Sequence, residues 1–529
     1  MPKQEVYHLR SLGWENDPEE EKLKLSTLDY ISMSTYNNYC LFFRFDDALK
    51  PRAVQVLKEG LERTLSQARH LVGRIERDSE GGHHILRKRN DTVEFHVQWL
   101  DAPEDTDKYP SIDDIERTNF STVTLGDLEQ WSVLPMTYGE RPEANIEDHP
   151  VVAAFKINFI RGGATFHMHH HHFTNDVMGW YGYARQIAEN CHAIFNNTQF
   201  PPWDPAALDL SRLCKPPPLP ETMITVPPAL KRHPGHSKGI SLLFHLPKSK
   251  AAKLKSLCSP ADGLVPFIST YDCFNAFIYR TLTRLRAPVF DYPSDTKLFW
   301  GEAIDIRRRL RDPAPAARLR GNVMFCALST NSAVEQPTLA QVASEWSLSR
   351  LATYVRQMTD SVTPEALDAA LEMVNIVKNK ADLCLSIDGT PPMSIMCTDH
   401  RDAYFGDVSF GFGTPLAYRH LADRITNGLI LFYPPRDKKP ESDEGVEFIV
   451  YYEKRLAKDL IEDKEWCEFM EYRGVEAEDT VVREGDDDEE NGDEVVKVVV
   501  DEKFRVVEEE KKGWVESVMV EEVLPTPLA

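Results

Sequence analysis

The middle of the chain constrains the fold most, because residues 196–239 are dense in proline and show little helical or strand periodicity. Connections of this length are uncommon inside a compact domain, and proline-rich segments act as stiff spacers between folded units. We therefore expect an interdomain crossover at 196–239. It separates a first unit, residues 1–195, from a second unit, residues 240–475, which an acidic tail at 476–529 follows.

Both units mix strand and helix patterns. In the first unit, "VVAAFKINFI" and "ATFHMHHHHF" are strand-like and flank the turn signal "RGG", whereas "PRAVQVLKEGLERTLSQARHLVGRI" and "DVMGWYGYARQIAENCHAIF" have helical spacing. In the second unit, the strand-like segments are "GISLLFHLP", "KLFWGEAIDIR", "GNVMFCALST", "NGLILFYPP" and "GVEFIVYYE". Long helical patterns occur in "STYDCFNAFIYRTLTRLR" and "LAQVASEWSLSRLATYVRQMT". This mixture predicts the α/β class.

Charge is distributed unevenly and limits the range of partners. The chain has a formal net charge of −23, and residues 476–529 hold 19 Asp and Glu against 6 Lys and Arg. In this tail, "REGDDDEENGDE" predicts a solvated, largely disordered segment, although "VVKVVVDEKFRVVEEE" alternates partly like a strand. Nucleic-acid binding needs clustered Lys and Arg to neutralise phosphates, so we expect no nucleic-acid partner.

The N-terminal residues and the cysteines indicate the compartment. The start of the chain, "MPKQEVYHLRSLGWENDPEEEKLKL", has no apolar run of the signal-peptide type. Apolar stretches such as "GLILFY" are too short to span a bilayer. Nine cysteines occur without a CxxC pattern, which favours free buried thiols in a reducing environment. We expect a cytoplasmic monomer with no membrane partner.

The stretch "FHMHHHHFTNDVMGW" contains the strongest candidates for chemistry. Strand alternation places His170 and His172 on one face and His169 and His171 on the other. His172 lies where the predicted strand ends, so its ring can meet a cleft. Asp176 lies at the predicted N-cap of the next helix. An imidazole with a pKa of about 6.5 suits a general base at neutral pH.

Several motifs in the correct order resemble the BAHD acyltransferase family. Residues 171–179 fit its H-x-x-x-D signature, which peptide-synthetase condensation domains share more distantly. The family's D-x-R-x-R motif, which G-N follows, is similar to "AIDIRRRL" and "RGNVMF". Its D-F-G-W-G-x-P motif is similar to "VSFGFGTP", and the first strand of the family resembles "LSTLD". The matching residues are Asp305, Arg307, Arg309, Gly321, Asn322, Phe410, Gly411, Gly413 and Pro415. The resemblance covers residues 22–472 and is nearest to the fungal branch, whose members acylate hydroxyls of secondary metabolites such as trichothecenes.

The resemblance implies a fold and an activity. The fold would comprise two chloramphenicol-acetyltransferase-like α/β domains with mixed sheets, joined by the crossover, with a solvent channel between them. The activity would be direct transfer of an acyl group, acetyl by default, from acyl-CoA to a hydroxyl, with His172 as general base. The acceptor would be a small hydroxylated terpenoid, polyketide or alkaloid. No bound cofactor is expected beyond the acyl-CoA cosubstrate.

Asp176 has two interpretations. It could orient His172, as the acid of a catalytic triad does, or it could cap its helix and pair with a buried arginine. The resemblance favours the second interpretation, with Arg307 as the partner.

The chain departs from the family pattern at three motifs. The Gly that usually follows the motif Asp is replaced by Val177, and a glycine follows only at Gly179. Ser409 and Phe412 replace the Asp and the Trp of D-F-G-W-G. Thr398 matches the Thr of a T-S-W triplet that helps to polarise the thioester in the family, but His400 replaces its Trp. The resemblance assigns this polarising role to the Thr398 and His400 region.

The phosphates of coenzyme A also need cations, for which Arg309, Lys253 and Lys255 are candidates that the sequence does not rank.

Other functions remain open from the sequence. His170, His172 and Asp176 could bind zinc, but no partner motif supplies the remaining ligands, so we expect no metal site. The chain could act on amines, use carrier-protein thioesters like a condensation enzyme, or bind a ligand without catalysis.

Overall fold

This computed structural model describes residues 2–79, 81–133, 144–228, 230–311, 313–383, 386–422, 424–479, 497–500 and 506–509. The strands are β1 (Lys3–Leu9), β2 (Glu20–Lys24), β3 (Tyr36–Arg44), β4 (Arg74–Arg77), β5 (His83–Lys88), β6 (Val93–Trp99), β7 (Ala153–Ile160), β8 (Gly163–His171), β9 (Gly239–Leu246), β10 (Trp300–Asp305), β11 (Met324–Leu328), β12 (Ile395–Asp399), β13 (Ala417–His420), β14 (Leu429–Tyr433), β15 (Val446–Glu453), β16 (Glu471–Glu478), β17 (Lys497–Val500) and β18 (Val506–Glu509). The α-helices are α1 (Lys50–Gln67), α2 (Ile112–Arg117), α3 (Leu128–Trp131), α4 (Val177–Asn196), α5 (Lys248–Ser256), α6 (Thr270–Phe290), α7 (Leu348–Asp360), α8 (Pro364–Ile376), α9 (Ala457–Glu462) and α10 (Lys464–Phe469).

The first unit contains a six-stranded sheet in the order β1–β6–β7–β8–β3–β13. β6 and β7 are parallel, and the other neighbours are antiparallel. The predicted hairpin is β7–β8, with Ile160 opposite Gly163. Every residue of β7 and β8 is buried. α1 and α4 approach closely where Gly60 lies against Cys191, at a spacing that leaves no room for a larger side chain at position 60.

The second unit contains a seven-stranded sheet in the order β11–β10–β12–β14–β15–β9–β16. β10, β12 and β14 are parallel to one another, and the other pairs are antiparallel. α6 begins with a capping box, in which Ser269 and Asp272 each accept a hydrogen bond from the other's backbone N–H. The two mixed sheets and their helices confirm the predicted α/β fold class.

The second unit contributes one strand to the sheet of the first unit, which the sequence did not predict. β13 belongs to the second unit by position in the chain, but it pairs with β3 at the edge of the first sheet, with Ala417 opposite Phe42 and His420 opposite Tyr39. β13 covers the edge of β3 and itself becomes the edge of that sheet; it is only four residues long, and short edge strands limit aggregation. The boundary between the units is therefore not a single point in the sequence.

The crossover and the tail also differ in detail from the expected boundaries. Residues 196–239 lead from the end of α4 to the start of β9 through short 3-10 turns. The folded body does not end at residue 475, because β16 continues to Glu478 and Glu476 is only 2% exposed. β17 and β18 pair with each other as a separate hairpin. The rest of the tail, including the acidic stretch predicted to be disordered, lies outside the described residues.

Two local predictions were wrong. "LSTLD" is not a strand: Ser26 starts a 3-10 turn at Thr27–Ile31, because its side chain forms a capping box with Asp29. The helical pattern after Leu339 is interrupted, because a π-helical turn at Gln341–Glu345 ends before Ser347 caps α7. Within the described residues, no helix combines the length and the apolar character that a membrane crossing requires.

Candidate active site

The histidines inside β8 are buried and engaged. His169 Nε2 accepts a hydrogen bond from the Val133 N–H at 3.1 Å. His171 Nε2 donates to the Ala144 carbonyl at 2.8 Å, and its Nδ1 accepts from the Phe173 N–H at 3.2 Å. Burial lowers the pKa of His171 to about 4. The His171 ring is therefore a neutral structural group at pH 7, and the His169 ring is a buried, hydrogen-bonded one.

His170 is also part of the core. Its ring stacks on Trp180 with centroids 4.2 Å apart, and its Nε2 accepts from Asn37 Nδ2 at 3.2 Å. Burial lowers its pKa well below the usual range. With Asp176 bound elsewhere, as described below, the zinc ligands considered from the sequence do not converge. In the described part of the chain, no group of three or more His, Cys, Asp or Glu side chains is arranged to hold a metal ion.

His172 differs from the other four histidines of the stretch, because it follows the end of β8 and is partly exposed. Its N–H donates to the Thr35 carbonyl at 2.8 Å, which continues the pairing with the β3 segment by one residue. The chain then turns, because Thr174 bonds back to the His171 carbonyl through both its N–H and its hydroxyl. Burial lowers the pKa of the His172 imidazole, although its own backbone carbonyl, Asp176 and the Asn322 side chain act in the opposite direction.

Asp176 caps α4 and binds an arginine. Its Oδ1 accepts from the Gly179 N–H at 2.7 Å, and its Oδ2 accepts from the Val323 N–H at 2.7 Å. Arg307 adds a bidentate pair, with Nη1 to Oδ2 and Nη2 to Oδ1 both 3.0 Å long. These bonds occupy both carboxylate oxygens. Asp176 therefore has the geometry of a helix cap paired with a buried arginine, and not that of the acid of a catalytic triad.

Arg307 connects the two units. It also donates to the carbonyls of Leu319 and Gly321 at 2.8 and 2.9 Å, and to Asp305 Oδ1 at 3.0 Å. Burial works to lower the pKa of the Arg307 guanidinium, but Asp176 and Asp305 outweigh it, and the net shift is upward. All five guanidinium protons are thus directed at fixed acceptors, which suits a planar fork better than it would suit an ammonium group.

Glycines allow the two motif segments to touch. A Cβ atom at Gly179 would lie 2.5 Å from the Gly321 carbonyl oxygen, so the first turn of α4 packs directly on the backbone of the second unit. Gly321 has φ +90°, a backbone conformation that favours glycine. Its N–H donates to Asn175 Oδ1 at 2.9 Å. The glycine two residues later than the family pattern therefore has a clear packing reason.

Two buried residues next to His172 had no role assigned from the sequence. Asn322 Nδ2 donates to the His172 carbonyl at 2.8 Å and to Asp29 Oδ1 at 2.9 Å. Asn322 belongs to the G-N motif, which was the available signal. Asp29 follows a Ser at the spacing of a capping box, but nothing in the sequence links it to the histidine stretch.

The Thr398 and His400 region belongs to the second unit. Thr398 is partly buried in β12, and His400 follows that strand. His400 Nδ1 shares a hydrogen bond of 3.0 Å with the Tyr418 hydroxyl. Burial, together with the nearby His172, lowers the pKa of His400 to about 4. The structure therefore brings His400 and His172 into one electrostatic neighbourhood.

A cavity of about 790 Å³ lies at the carboxyl ends of β10 and β12. Ligands of open α/β sheets bind in this position relative to the strands. Its lining includes Met178 from the first turn of α4, so the cavity extends towards the Asp176–Arg307 pair. The cationic lining residues are Lys248, Arg356, Arg401 and Lys438.

The three cations predicted to bind phosphate do not lie in this cavity. Among the described residues, its lining includes neither Arg309 nor Lys253 nor Lys255. Arg309 Nη1 donates to the carbonyls of Thr359 and Val362 at 3.0 and 2.7 Å. Lys253 pairs with Glu468 on the surface at 2.5 Å. Lys253 is thus engaged away from the cavity although its helix, α5, borders it.

The altered D-F-G-W-G element lies in the core of the first unit. Phe410 packs edge-on against Phe43 of β3 at 5.1 Å, and Phe412 packs against Phe45 at 5.5 Å. Ser409 Oγ accepts from the Gly411 N–H at 3.1 Å, so it supplies a local turn contact. Phe412 is thus accommodated by packing, and Ser409 by a local hydrogen bond.

Comparisons with known proteins agree with this architecture. Residues 119–465 match the model of the Transferase family, and residues 35–191 match that of the trichothecene 3-O-acetyltransferase-like N-terminal domain. Acetyltransferase FGR3 of Gibberella zeae is 60% identical over 476 residues, which are 90% of this chain and 95% of that protein. Trichothecene 3-O-acetyltransferase TRI101 of Fusarium sporotrichioides is 24% identical and covers 84% of this chain and 95% of its own length.

Solved structures show the same fold. The crystal structure of F. graminearum TRI101 complexed with coenzyme A and deoxynivalenol has a TM-score of 0.70 at 20% identity and covers 86% of this chain and 100% of that one. Vinorine synthase has a TM-score of 0.60 at 18% identity, with 87% and 96% coverage. With the family-model match and the 60% identical acetyltransferase, the chain is shown to belong to the BAHD-type family of acyl-CoA-dependent acyltransferases.

Proposed function

We propose that the protein transfers an acyl group, acetyl by default, from acyl-CoA to a hydroxyl of a small secondary metabolite, with His172 as general base. One observation carries this proposal: of the five histidines in the stretch, His172 is the one that is not fully buried, and residues of both units flank it. His167, His169, His170 and His171 are each 0% exposed. A base must reach its substrate, and the four buried rings do not.

The proposed reaction is a direct transfer in a ternary complex. His172 removes the hydroxyl proton while the oxygen attacks the thioester carbonyl, and the tetrahedral oxyanion then collapses with loss of coenzyme A thiolate. The thiolate takes the proton from His172. The oxyanion needs hydrogen-bond donors, for which we propose Thr398 and His400, because they approach from the opposite unit. No covalent enzyme intermediate is required.

We assign the phosphates of the acyl-CoA substrate to the mouth of the cavity. Arg356 and Arg401 are paired with Asp272 and Asp399 at 2.7 and 2.6 Å. By contrast, Lys248 donates to backbone carbonyls, and Lys438 lies 3.9 Å from the Tyr404 ring centroid.

Within the described residues, neither Lys248 nor Lys438 forms an ion pair. Their charges are therefore available to a polyanion.

The activity can be tested by mass spectrometry of products. The protein would be incubated with acetyl-, malonyl- and longer acyl-CoAs and a panel of fungal alcohols, with amines included as competing acceptors. We expect a hydroxyl ester, no need for a carrier protein, and loss of about 10²- to 10⁴-fold in rate for His172→Ala. Turnover only with a carrier-bound thioester, or full activity of His172→Ala, would contradict the proposal. His171→Ala is the matched control, and this variant should lose stability and not rate.

The phosphate assignment has its own test. Lys248→Ala combined with Lys438→Ala should raise the KM for acetyl-CoA about tenfold and leave the KM for acetyl-pantetheine, which lacks the nucleotide phosphates, unchanged. Lys253→Ala should alter neither value. An effect of Lys253→Ala equal to that of the double variant would instead favour the phosphate site predicted from the sequence.

A further inference from the structure

The side-chain amide of Asn322 has a fixed orientation. Asn322 is fully buried in the segment that follows β10. Both of its Nδ2 donor positions are used, one by the His172 carbonyl at 2.8 Å and one by Asp29 Oδ1 at 2.9 Å. Flipping the amide would place Oδ1 against two acceptors. The oxygen is therefore the free end of the side chain, and it is buried with no hydrogen-bond partner among the described residues.

Asp29 holds the amide in this orientation. Its carboxylate is 2% exposed and accepts from the Ser26 N–H at 2.6 Å as well as from Asn322. Burial raises the pKa of Asp29 to about 7, and the hydrogen bond from Asn322 acts against this rise. A buried carboxylate thus acts as the second anchor for the amide, with His172 as the first.

The His172 ring has a matching unsatisfied atom. Its Nδ1 is buried and also has no partner within the described part of the chain. Buried unsatisfied groups are rare and call for an explanation. For a general base, the proton on one ring nitrogen must be held so that the other nitrogen is free, and the acceptor of that proton decides the tautomer. Asp176 does not serve this purpose, because Arg307 and backbone N–H groups occupy its oxygens.

We propose that Asn322 is the positioning residue of the base: its Oδ1 accepts the Nδ1 proton of His172, and Asp29 orients the amide for this contact. The two unpaired atoms belong to residues that a 2.8 Å hydrogen bond already joins. The His172 carbonyl, which also acts to raise the pKa of the ring, is the alternative acceptor, but it already accepts from Asn322 and from Ser32 Oγ. The inference rests on the proposed function and deepens it.

The proton balance follows from this arrangement. Nε2 takes the hydroxyl proton as the C–O bond forms, and the resulting imidazolium keeps the Nδ1 proton on the Asn322 oxygen. When the C–S bond breaks, Nε2 returns its proton to the thiolate sulfur. Asn322 exchanges no proton, so it acts through His172 and does not touch the reacting atoms.

The test compares Asn322→Ala with Asn190→Ala. Asn190 is a matched control, because it is also fully buried, donates through Nδ2 to Thr64 at 2.9 Å, and has a buried Oδ1 without a partner. We expect Asn322→Ala to lower kcat about 10- to 100-fold with an unchanged KM for acetyl-CoA. Asn190→Ala should reduce stability alone.

The pH profile separates positioning from a purely structural role. The Asn322 side chain raises the pKa of His172, so its removal should shift the acid limb of kcat/KM to lower pH. Nitrogen NMR of labelled His172 should show the proton on Nδ1 in the wild type and a mixture of tautomers in Asn322→Ala. An unmoved limb with kcat within threefold of wild type would overturn the proposal and indicate a backbone acceptor.

Two further variants keep the result decisive. If Asn322→Ala does not fold, Asp29→Asn provides the same readout, because it weakens the anchor of the amide and should move the limb in the same direction by a smaller amount. An unmoved limb in that variant would also overturn the proposal. His172→Ala is the reference: if it retains activity, the proposed function fails, whereas an inactive His172→Ala beside a fully active Asn322→Ala rejects only the role of Asn322.

Discussion

Two polar bridges hold the units together, and they differ in location and in composition. The motif bridge, formed by Asp176, Arg307 and Asp305, lies beside His172 and has one guanidinium for two carboxylates. The edge bridge is formed by Arg419, Glu447, Arg436, Arg473 and Glu476, and it joins β13 to β15 and β16.

The charges in the edge bridge are distributed differently from those in the motif bridge. Glu447 is fully buried and accepts from Arg419 and Arg473 at 2.7 Å each, with Arg436 at 3.4 Å. Burial opposes its ionisation, but these arginines hold the pKa of Glu447 at about 2. Both bridges connect the units, but the motif bridge holds Asp176 directly, whereas the edge bridge reaches His400 only through Tyr418 of β13. We therefore expect damage to the motif bridge to affect catalysis and stability, and damage to the edge bridge to affect stability alone.

The largest effect is expected for Arg307→Ala. It leaves Asp176 and Asp305 without their cation, which should cost about 3–5 kcal/mol of unfolding free energy. Displacement of the His172 segment should also lower kcat about 10²-fold, since small misplacements have effects of that size. Urea unfolding and steady-state kinetics measure the two losses. Arg308→Ala, whose side chain is 83% exposed, is the control and should change neither.

Glu447→Ala tests the other half of the comparison. It leaves three arginines without their shared carboxylate, so the free energy of unfolding should again fall by about 3–5 kcal/mol. The kcat of the folded protein should stay within twofold of wild type. A loss of kcat as large as that of Arg307→Ala would show that the edge bridge also positions the site.

Glu476 of the edge bridge makes the stability of the protein depend on pH. Burial raises the pKa of Glu476 to about 8, although Arg419 opposes the shift. The folded protein therefore retains a proton that the unfolded chain releases above its ordinary carboxyl pKa, and stability contributed by this group falls as pH rises towards 8.

Glu476→Gln should remove this loss, giving a gain of roughly 2–4 kcal/mol at pH 8 relative to pH 5. Thermal or urea unfolding at the two pH values measures it, with the exposed Glu462→Gln as the control. If the free energy of unfolding changes equally with pH in Glu476→Gln and in the wild type, the raised pKa of Glu476 is contradicted.

The smallest effect is expected for Arg307→Lys. The charge remains, but the bidentate fork is lost, so we expect about 1–2 kcal/mol of destabilisation and a modest loss of kcat. Arg318→Lys is the matched control, because Arg318 also binds a carboxylate through two bonds of 2.8 Å, to Glu189, but is 40% exposed. Surface pairs contribute little, below about 1 kcal/mol. Equal losses in the two variants would show that burial is irrelevant to the motif bridge.

The local parts of the site could be predicted because local chemistry decides them. Period-two alternation and the "RGG" turn predict the β7–β8 hairpin, and an Asp before a helical pattern predicts the N-cap at residue 176. The family resemblance indicated Arg307 as the partner of Asp176, and the structure contains that ion pair. The role of His172 itself stays a prediction.

The remaining contacts could not be predicted, because their partners are distant in the chain. Asp29 reaches Asn322 across 293 residues, and Arg419 meets Glu447 only because β13 joins the other sheet. The phosphate role of Arg309, Lys253 and Lys255 stays a prediction. Lys253 and Lys438 have little to distinguish them in sequence, yet of these two lysines Lys438 lines the cavity and Lys253 does not.

The sequence by itself determined the α/β class, the order of the motifs and the cap at Asp176, because propensity, alternation and capping act between residues a few positions apart. Only the tertiary structure decided which histidine is partly exposed, which carboxylates are buried and which lysines face a cavity. Exposure, pKa and hydrogen-bond partners depend on what other segments of the chain cover each side chain, and that follows from the packing of the two sheets.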